Sequence, residues 1–179
     1  DALALLKPAL ESPAVKKIGQ NIKYDAVVLA GEGIRLEGIE TDTMVLSYLL
    51  EPNWGKHNLE RLAAHYLQET NTPYEEVAGK GKSALTMDKV PVEAVTAYSC
   101  QDADFALRLK GELWPRVRAQ KLDALYDGIE KPLIPVLAGM EEAGVKVDRR
   151  ALQALSRELG RDLVRLTARI HELAGVDFN

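Results

Sequence analysis

Cysteine is all but absent: Cys100 is the only one in the 179 residues. No disulfide can close within the chain, which fits a reducing compartment, and with no second Cys or suitable His pair Cys100 is assigned no chemistry. Aromatic residues are scarce at 6%, so the core must rest on Leu, Val, Ile and Ala, and the reading leans helical. Long apolar runs are missing too. Residues 43–50 and 132–140 fall far short of the roughly 18 residues that span a membrane, and no basic stretch leads into an apolar one as in a secretion signal. Positive charge is short: 23 Lys and Arg against 27 Asp and Glu leave a net charge of -4. That argues against a free-standing, charge-driven nucleic-acid binder. It does not exclude a nuclease, whose site must be acidic to hold hard cations. What remains is ordinary for a globular protein, 46% hydrophobic and 28% charged. The chain opens on Asp1-Ala2-Leu3 and stops at Asp177-Phe178-Asn179, and is expected to be a piece of a longer protein.

The pattern is mostly helical with a few extended pieces. Leu3, Leu5, Leu6 and Leu10 suggest a first helix confined or kinked by Pro8. Residues 15–19 and 34–39 are strand candidates, separated by a helix that Asn21 or Lys23 opens and Gly31 and Gly33 close. Asp42 reads as the N-cap of a helix carrying Met44, Val45, Tyr48 and Leu49, ended by Pro52. Asn58 reads as the cap of the next, with Leu59, Leu62, Ala63 and Tyr66 on one face. Residues 70–91 look irregular around Gly79-Lys80-Gly81-Lys82. A helix is expected from Val92 to about Trp114-Pro115, and another over 122–142, bent by Pro132 and Pro135. Residues 144–148 form a short connector. The last helix, from Arg149 to Ala174, spaces Leu152, Leu155, Leu159, Leu163, Leu166, Ile170 and Leu173 by threes and fours, a narrow coiled-coil-like seam. Composition shifts after Pro115, so the domain boundary is set there: 1–116, then 117–179.

The residues that could carry chemistry are acidic and few. In Asn21-Ile22-Lys23-Tyr24-Asp25 an aspartate falls on the first turn of a helix after a strand. In Tyr98-Ser99-Cys100-Gln101-Asp102 a tyrosine and an aspartate stand at i and i+4, on one helix face. Two-metal phosphoryl chemistry needs hard oxygen ligands converging on cations about 3.5–4 Å apart, and a phenol beside a carboxylate can aim the attacking water. By spacing alone each motif is weak; a packed tyrosine beside a solvated carboxylate is the commoner meaning.

The surrounding words carry more. Lys17-Ile18-Gly19-Gln20-Asn21-Ile22-Lys23-Tyr24-Asp25, then Asp42-Thr43-Met44, Gly79-Lys80-Gly81-Lys82 and residues 98–104 occur in order. Together they resemble the 3′–5′ exonuclease domain of the bacterial family A DNA polymerases, of the RNase D-like DEDDy group. Glu130-Lys131-Pro132-Leu133 and Met140-Glu141-Glu142-Ala143-Gly144-Val145-Lys146-Val147-Asp148 resemble the start of the polymerase region of such enzymes. The resemblance spans nearly the whole chain. It implies an α/β fold: the C-terminal part of an RNase H-like exonuclease domain, helix-rich, with long polymerase-region helices after it.

The resemblance also implies roles. Asn21, Tyr24 and Asp25 match the family's second motif, with Asp25 a metal ligand. Tyr98 would orient the nucleophilic water and Asp102 would bind a metal. The family's first motif, Asp-x-Glu on an early strand, is not found before Asn21; Asp1 and Glu11 are too far apart to supply it. Two carboxylates are therefore absent, and the cation of the parent (Mg2+, or Mn2+ or Zn2+) should not be held stably by this fragment, which is expected to be inactive alone. Tyr74 stands where the family stacks an aromatic on the terminal base, and Lys56 and His57 where it has a basic residue near the strand. Lys80 and Lys82 could touch phosphates. Asp42 and Asp104 are read as capping or hydrogen-bonding residues, and Arg157, Arg161, Arg165 and Arg169 as a solvated stripe beside Glu158 and Asp162. The implied partners are a single-stranded DNA 3′ end and primer–template DNA, with no membrane; the implied place is the cytoplasm, at the nucleoid. The fragment itself is expected to self-associate, through a sheet edge, an apolar patch near Val27, Val28 and Val45, or the terminal helices. Two rivals are an exonuclease domain kept only as a scaffold and a helical interaction module.

Overall fold

Two short strands pair in parallel in the first unit: β1 (Lys17–Gly19) and β2 (Ile39–Asp42), with Ile18 opposite Thr41 and Gly19 opposite Asp42. The computed structural model describes residues 2–81 and 84–176. Lys82, Asp1 and residues 177–179 lie outside the described residues. Before β1 comes α1 (Ala2–Leu10), which tolerates Pro8 inside it, and between the strands runs α2 (Ile22–Gly31). Parallel strands need such a crossover.

The second strand starts later than the hydrophobic run suggests. Residues 34–37 are bound elsewhere: the Ile34 amide donates to the Leu29 carbonyl and the Glu37 amide to Leu10, and only the Gly38 carbonyl reaches β1, accepting from the Lys17 amide. Gly38 then turns the chain at φ 73°, where a Cβ would stand 2.5 Å from the Val15 carbonyl oxygen. Only glycine fits that approach.

After β2 the chain is helical. Asp42 caps α3 (Thr43–Leu50) as expected, its side chain accepting from the Met44 and Val45 amides. Asn58 makes no side-chain cap on α4 (Leu59–Leu62), which runs directly into a π-helical turn at Ala63–Leu67. The irregular stretch contains one short helix, α5 (Tyr74–Ala78), and a 3-10 turn at Met87–Lys89. α6 (Val92–Ala119) passes through Pro115, because Leu113 and Val117 on either side are wholly buried. α7 (Asp123–Leu125), a π turn at Tyr126–Glu130 and α8 (Lys131–Ala143) continue one another.

Leu46, Leu62, Leu109, Leu113, Val117 and Tyr126 are all fully buried in one cluster. At about 25 cal/mol per Å2 of apolar surface removed from water, such burial is the main force holding α3, α4 and α6 together. Val45 packs against this cluster rather than forming an exposed patch, whereas Val28 is exposed. α8 packs on α2, with Lys23 ion-paired to Glu141.

The chain divides into two compact units, Asp1–Ala143 and Gly144–Asn179. The compositional shift at Pro115 thus falls inside α6, since Tyr126 beyond it belongs to the first unit's core. The second unit is α9 (Arg149–Ala174), capped by the Asp148 side chain and closed by Gly175 in the left-handed region. All seven seam residues from Leu152 to Leu173 are exposed. No helix among the described residues is long and apolar enough to cross a membrane.

Candidate functional site

Asp42 sets the geometry from which the site is built. It is 1% exposed, and its carboxylate accepts from four backbone amides. Asn21 (3.0 Å) and Ile22 (2.9 Å) open α2, while Met44 (2.9 Å) and Val45 (3.4 Å) open α3. One buried acid therefore caps two helices, satisfying amides that their first turns leave orphaned. Burial pushes its carboxyl above the ordinary range, and the four donors pull it back. Asn21 bends the chain into α2 in the left-handed region, φ 57°, without capping the helix by its own side chain. Asp25 follows on the first turn.

Asp25 from α2 and Asp102 from α6 line one recess of about 480 Å3. Its floor is apolar, from Ile18, Ile22, Leu29, Leu59 and Ala106, and β1 contributes Lys17, with Gln20 just after it. Asp25 keeps access to solvent, yet desolvation in the recess raises its carboxyl, and the charge of Asp42 raises it further. Two helices distant in sequence thus present two carboxylates to the same space. Neither motif predicts that alone.

Tyr98 lies one turn before Asp102 on α6. Burial is the main reason its phenol is raised, followed by the Asp102 charge and its hydrogen bonding, with Tyr74 close enough to add to it. Tyr74 is 45% exposed, with its hydroxyl 3.5 Å from the Leu85 carbonyl. Asn71, which the sequence does not single out, donates through Nδ2 to Asp102 Oδ1 at 3.1 Å. Beside it the Thr72 amide donates to Gln101 Oε1 at 2.8 Å. No periodicity or motif marks Asn71, because it lies in an irregular stretch.

The other expected residues sit outside the recess. Tyr24 and Lys56 are exposed. His57 turns its ring inward: Nδ1 is 2.9 Å from Ser47 Oγ, and the ring stacks on Trp54 and meets Tyr48 edge-on. Its carbonyl accepts from Gln20, whose amide oxygen takes the Thr43 hydroxyl. Lys80 pairs with Glu75. Asp104 pairs with Arg108.

Asp25 and Asp102 are hard oxygen donors of the kind Mg2+ takes. Among the described residues, however, no three His, Cys, Asp or Glu side chains stand together so as to hold a cation. The two acids fit part of a divalent centre and not the whole of one.

A family described as 3′–5′ exonuclease matches residues 1–118. DNA polymerase I of Rhizobium leguminosarum is 44% identical over 179 residues, covering the whole chain and 18% of that protein. DNA polymerase I of Pseudomonas aeruginosa is 42% identical, covering 99% of the chain and 20% of that protein. The chain therefore spans about a fifth of the length of these relatives. Among solved structures, the POL domain of Pol1 from M. smegmatis, in complex with DNA primer-template and dNTP, superposes with a TM-score of 0.64. It is 27% identical over 98% of this chain and 27% of its own.

Proposed function

The chain belongs to the 3′–5′ exonuclease domain family of DNA polymerase I, and from that premise we propose that it carries part of a proofreading site. The reaction is hydrolysis of the 3′-terminal phosphodiester of DNA. A water oxygen bonds to phosphorus, the bridging 3′ oxygen leaves with a proton, and a deoxynucleoside monophosphate is released. The observation that carries this reading is the convergence of Asp25 and Asp102 on one recess.

Each residue has a definable part. Asp25 and Asp102 are the side chains that would hold divalent cation, Mg2+ or in its place Mn2+ or Zn2+. Such cations polarise phosphoryl oxygens and acidify bound water. Tyr98 keeps its proton at neutral pH, since burial and Asp102 both raise it. It therefore aims water as a neutral hydroxyl and is no general base. Tyr74, near Tyr98, offers a ring to the terminal base, and such stacking contributes about 1–3 kcal/mol. Asn21 and Tyr24 border the strand's path, with Lys56 and His57 farther along it. For His57 the contact would be through its backbone, since its ring is committed to Ser47 and Trp54. The Asp-x-Glu of the family, which would complete the cluster, does not occur in the 179 residues, so the chain alone should be inactive. In the longer protein residues 1–116 would belong to the exonuclease domain and 117–179 to the start of the polymerase region. Its partners would be a DNA 3′ end and primer–template, in the bacterial cytoplasm at the nucleoid.

The test is Asp102→Ala in the intact polymerase. Nucleotide release from a single-stranded 3′ end should vanish while primer extension continues. Undiminished release would sink the reading.

A second proposal concerns partners. The exposed seam of α9 suits association with a second copy of the chain.

A further inference from the structure

Asn71 is only 7% exposed, which is unusual for an amide side chain in an irregular segment. Its Nδ2 donates to Asp102 Oδ1 at 3.1 Å, and its own Oδ1 is buried without a partner. The orientation is dictated by charge, because turning the amide over would press its oxygen against a carboxylate oxygen. Buried polar atoms are usually satisfied, and an unsatisfied one costs the fold. The structure thus keeps a side chain that is good for one contact only, and that contact is with an acid of the site.

The neighbouring bond shows what the contact holds. The Thr72 amide donates to Gln101 Oε1 at 2.8 Å, so residues 71 and 72 are fastened to adjacent residues of α6. Two positions on is Tyr74, at the start of α5. Residues 71–78 are therefore tied to α6 at Gln101 and Asp102.

We infer that Asn71 is a positioning residue: it clamps one oxygen of Asp102, leaving the other for the recess, and through that clamp registers the segment bearing Tyr74 against α6. This rests on the exonuclease reading for the meaning of Asp102, but the clamp can be tested without it.

The experiment is amide hydrogen exchange across residues 71–78 of the 179-residue chain. Asn71→Asp keeps the shape, removes the donor and sets two carboxylates together. Exchange at Thr72 and its neighbours should speed up by about tenfold or more, the equivalent of one lost charge-assisted bond. Asp102→Asn should not loosen the segment, since the new amide can donate to the orphaned Asn71 oxygen. The exchanged pair, Asn71→Asp with Asp102→Asn, should bring protection back to within a few-fold of the starting chain, and in the intact polymerase it should restore no nucleotide release. Protection unchanged in Asn71→Asp, or no better in the exchanged pair than in Asn71→Asp, overturns the inference.

Should Asn71→Asp fail to fold, the side-chain NH2 resonances of Asn71 serve instead. They should shift and exchange faster in Asp102→Ala; indifference to that substitution overturns the clamp. If the clamp behaves as stated and Asp102→Ala nonetheless leaves nucleotide release intact, the exonuclease reading fails by itself.

Discussion

The Tyr126 hydroxyl accepts a hydrogen bond of 2.9 Å from the backbone amide of Asp42, at the residue whose side chain caps both α2 and α3. Tyr126 is wholly buried in the core and lies past residue 118, where the family match ends. The helix after α6 is thus an integral support of the site's frame. Tyr126→Phe leaves the Asp42 amide buried without a partner. It should cost about 1–3 kcal/mol in urea unfolding. Asp42→Ala strips acceptors from four amides and should cost more; the reverse order would show that the capping account is wrong.

Asp25 is held at the expense of stability. Its folded pKa is raised, so the folded state binds that proton more tightly than the unfolded chain. The resulting stability is full below the unfolded value of about 3.9, and is lost as pH rises through the folded pKa. At neutral pH the desolvated charge remains. Asp25→Asn should therefore raise the melting temperature at pH 7 relative to the starting chain, by more than it does at pH 3. Equal shifts at both pH values would mean that the recess does not desolvate the acid.

His57 titrates the other way. Burial, and then the Arg61 charge, lower its pKa, so the unfolded chain takes up the proton first as pH falls below about 6.5. Its contribution is full above that value and declines as pH falls toward the folded pKa. The stability difference between the starting chain and His57→Gln should shrink between pH 7 and pH 5. Chemical denaturation at several pH values measures it, and a constant difference would contradict the buried ring.

Activity should separate the two α6 residues. The chain alone should release no nucleotide from single-stranded DNA with Mg2+ above an Asp102→Ala control, because two carboxylates fall short of a two-cation cluster. In the intact polymerase Tyr98→Phe should slow release less than Asp102→Ala does. It removes one hydroxyl and no ligand. Greater damage from Tyr98→Phe would reverse the assigned roles.

How much of this was legible in the sequence varied with the range of the interactions. α9 was readable to its ends, because Asp148, Gly175 and the leucine spacing are all local signals. The capping role of Asp42 at α3 was readable for the same reason, while its second helix was not, since that bond reaches back to Asn21. The run 34–39 misplaced β2, because hydrophobic alternation does not reveal that Gly38 must turn there. Asp25 and Asp102 were visible only as motifs, and their shared recess is a tertiary fact. Asn71 carried no signal, its meaning being a contact with a residue far along the chain.

The α9 seam makes a sharp prediction about association. Its residues fall at spacings of 3, 4, 4, 3, 4 and 3, and an antiparallel copy brings most of them into one register: Leu152 meets Leu173, Leu155 meets Ile170 and Leu159 meets Leu166, with the two copies of Leu163 side by side at the centre. In that register Glu158 lies within a turn of Arg169 on the other copy, and Asp162 within a turn of Arg165. Within a single helix Asp162 pairs with Arg165 and Arg169 with Glu172 at exposed positions, pairs that contribute little and can exchange partners across copies. A parallel pair gains no such match. The chain should therefore show a concentration-dependent rise in mass by sedimentation equilibrium. Doubly reversed Arg165→Glu/Arg169→Glu should associate poorly with itself, as should Glu158→Arg/Asp162→Arg, one flank being all acidic and the other all basic. Mixed together, the two variants should pair. A monomer at hundreds of micromolar, or two variants that each dimerise as well alone as mixed, would rule the antiparallel pairing out.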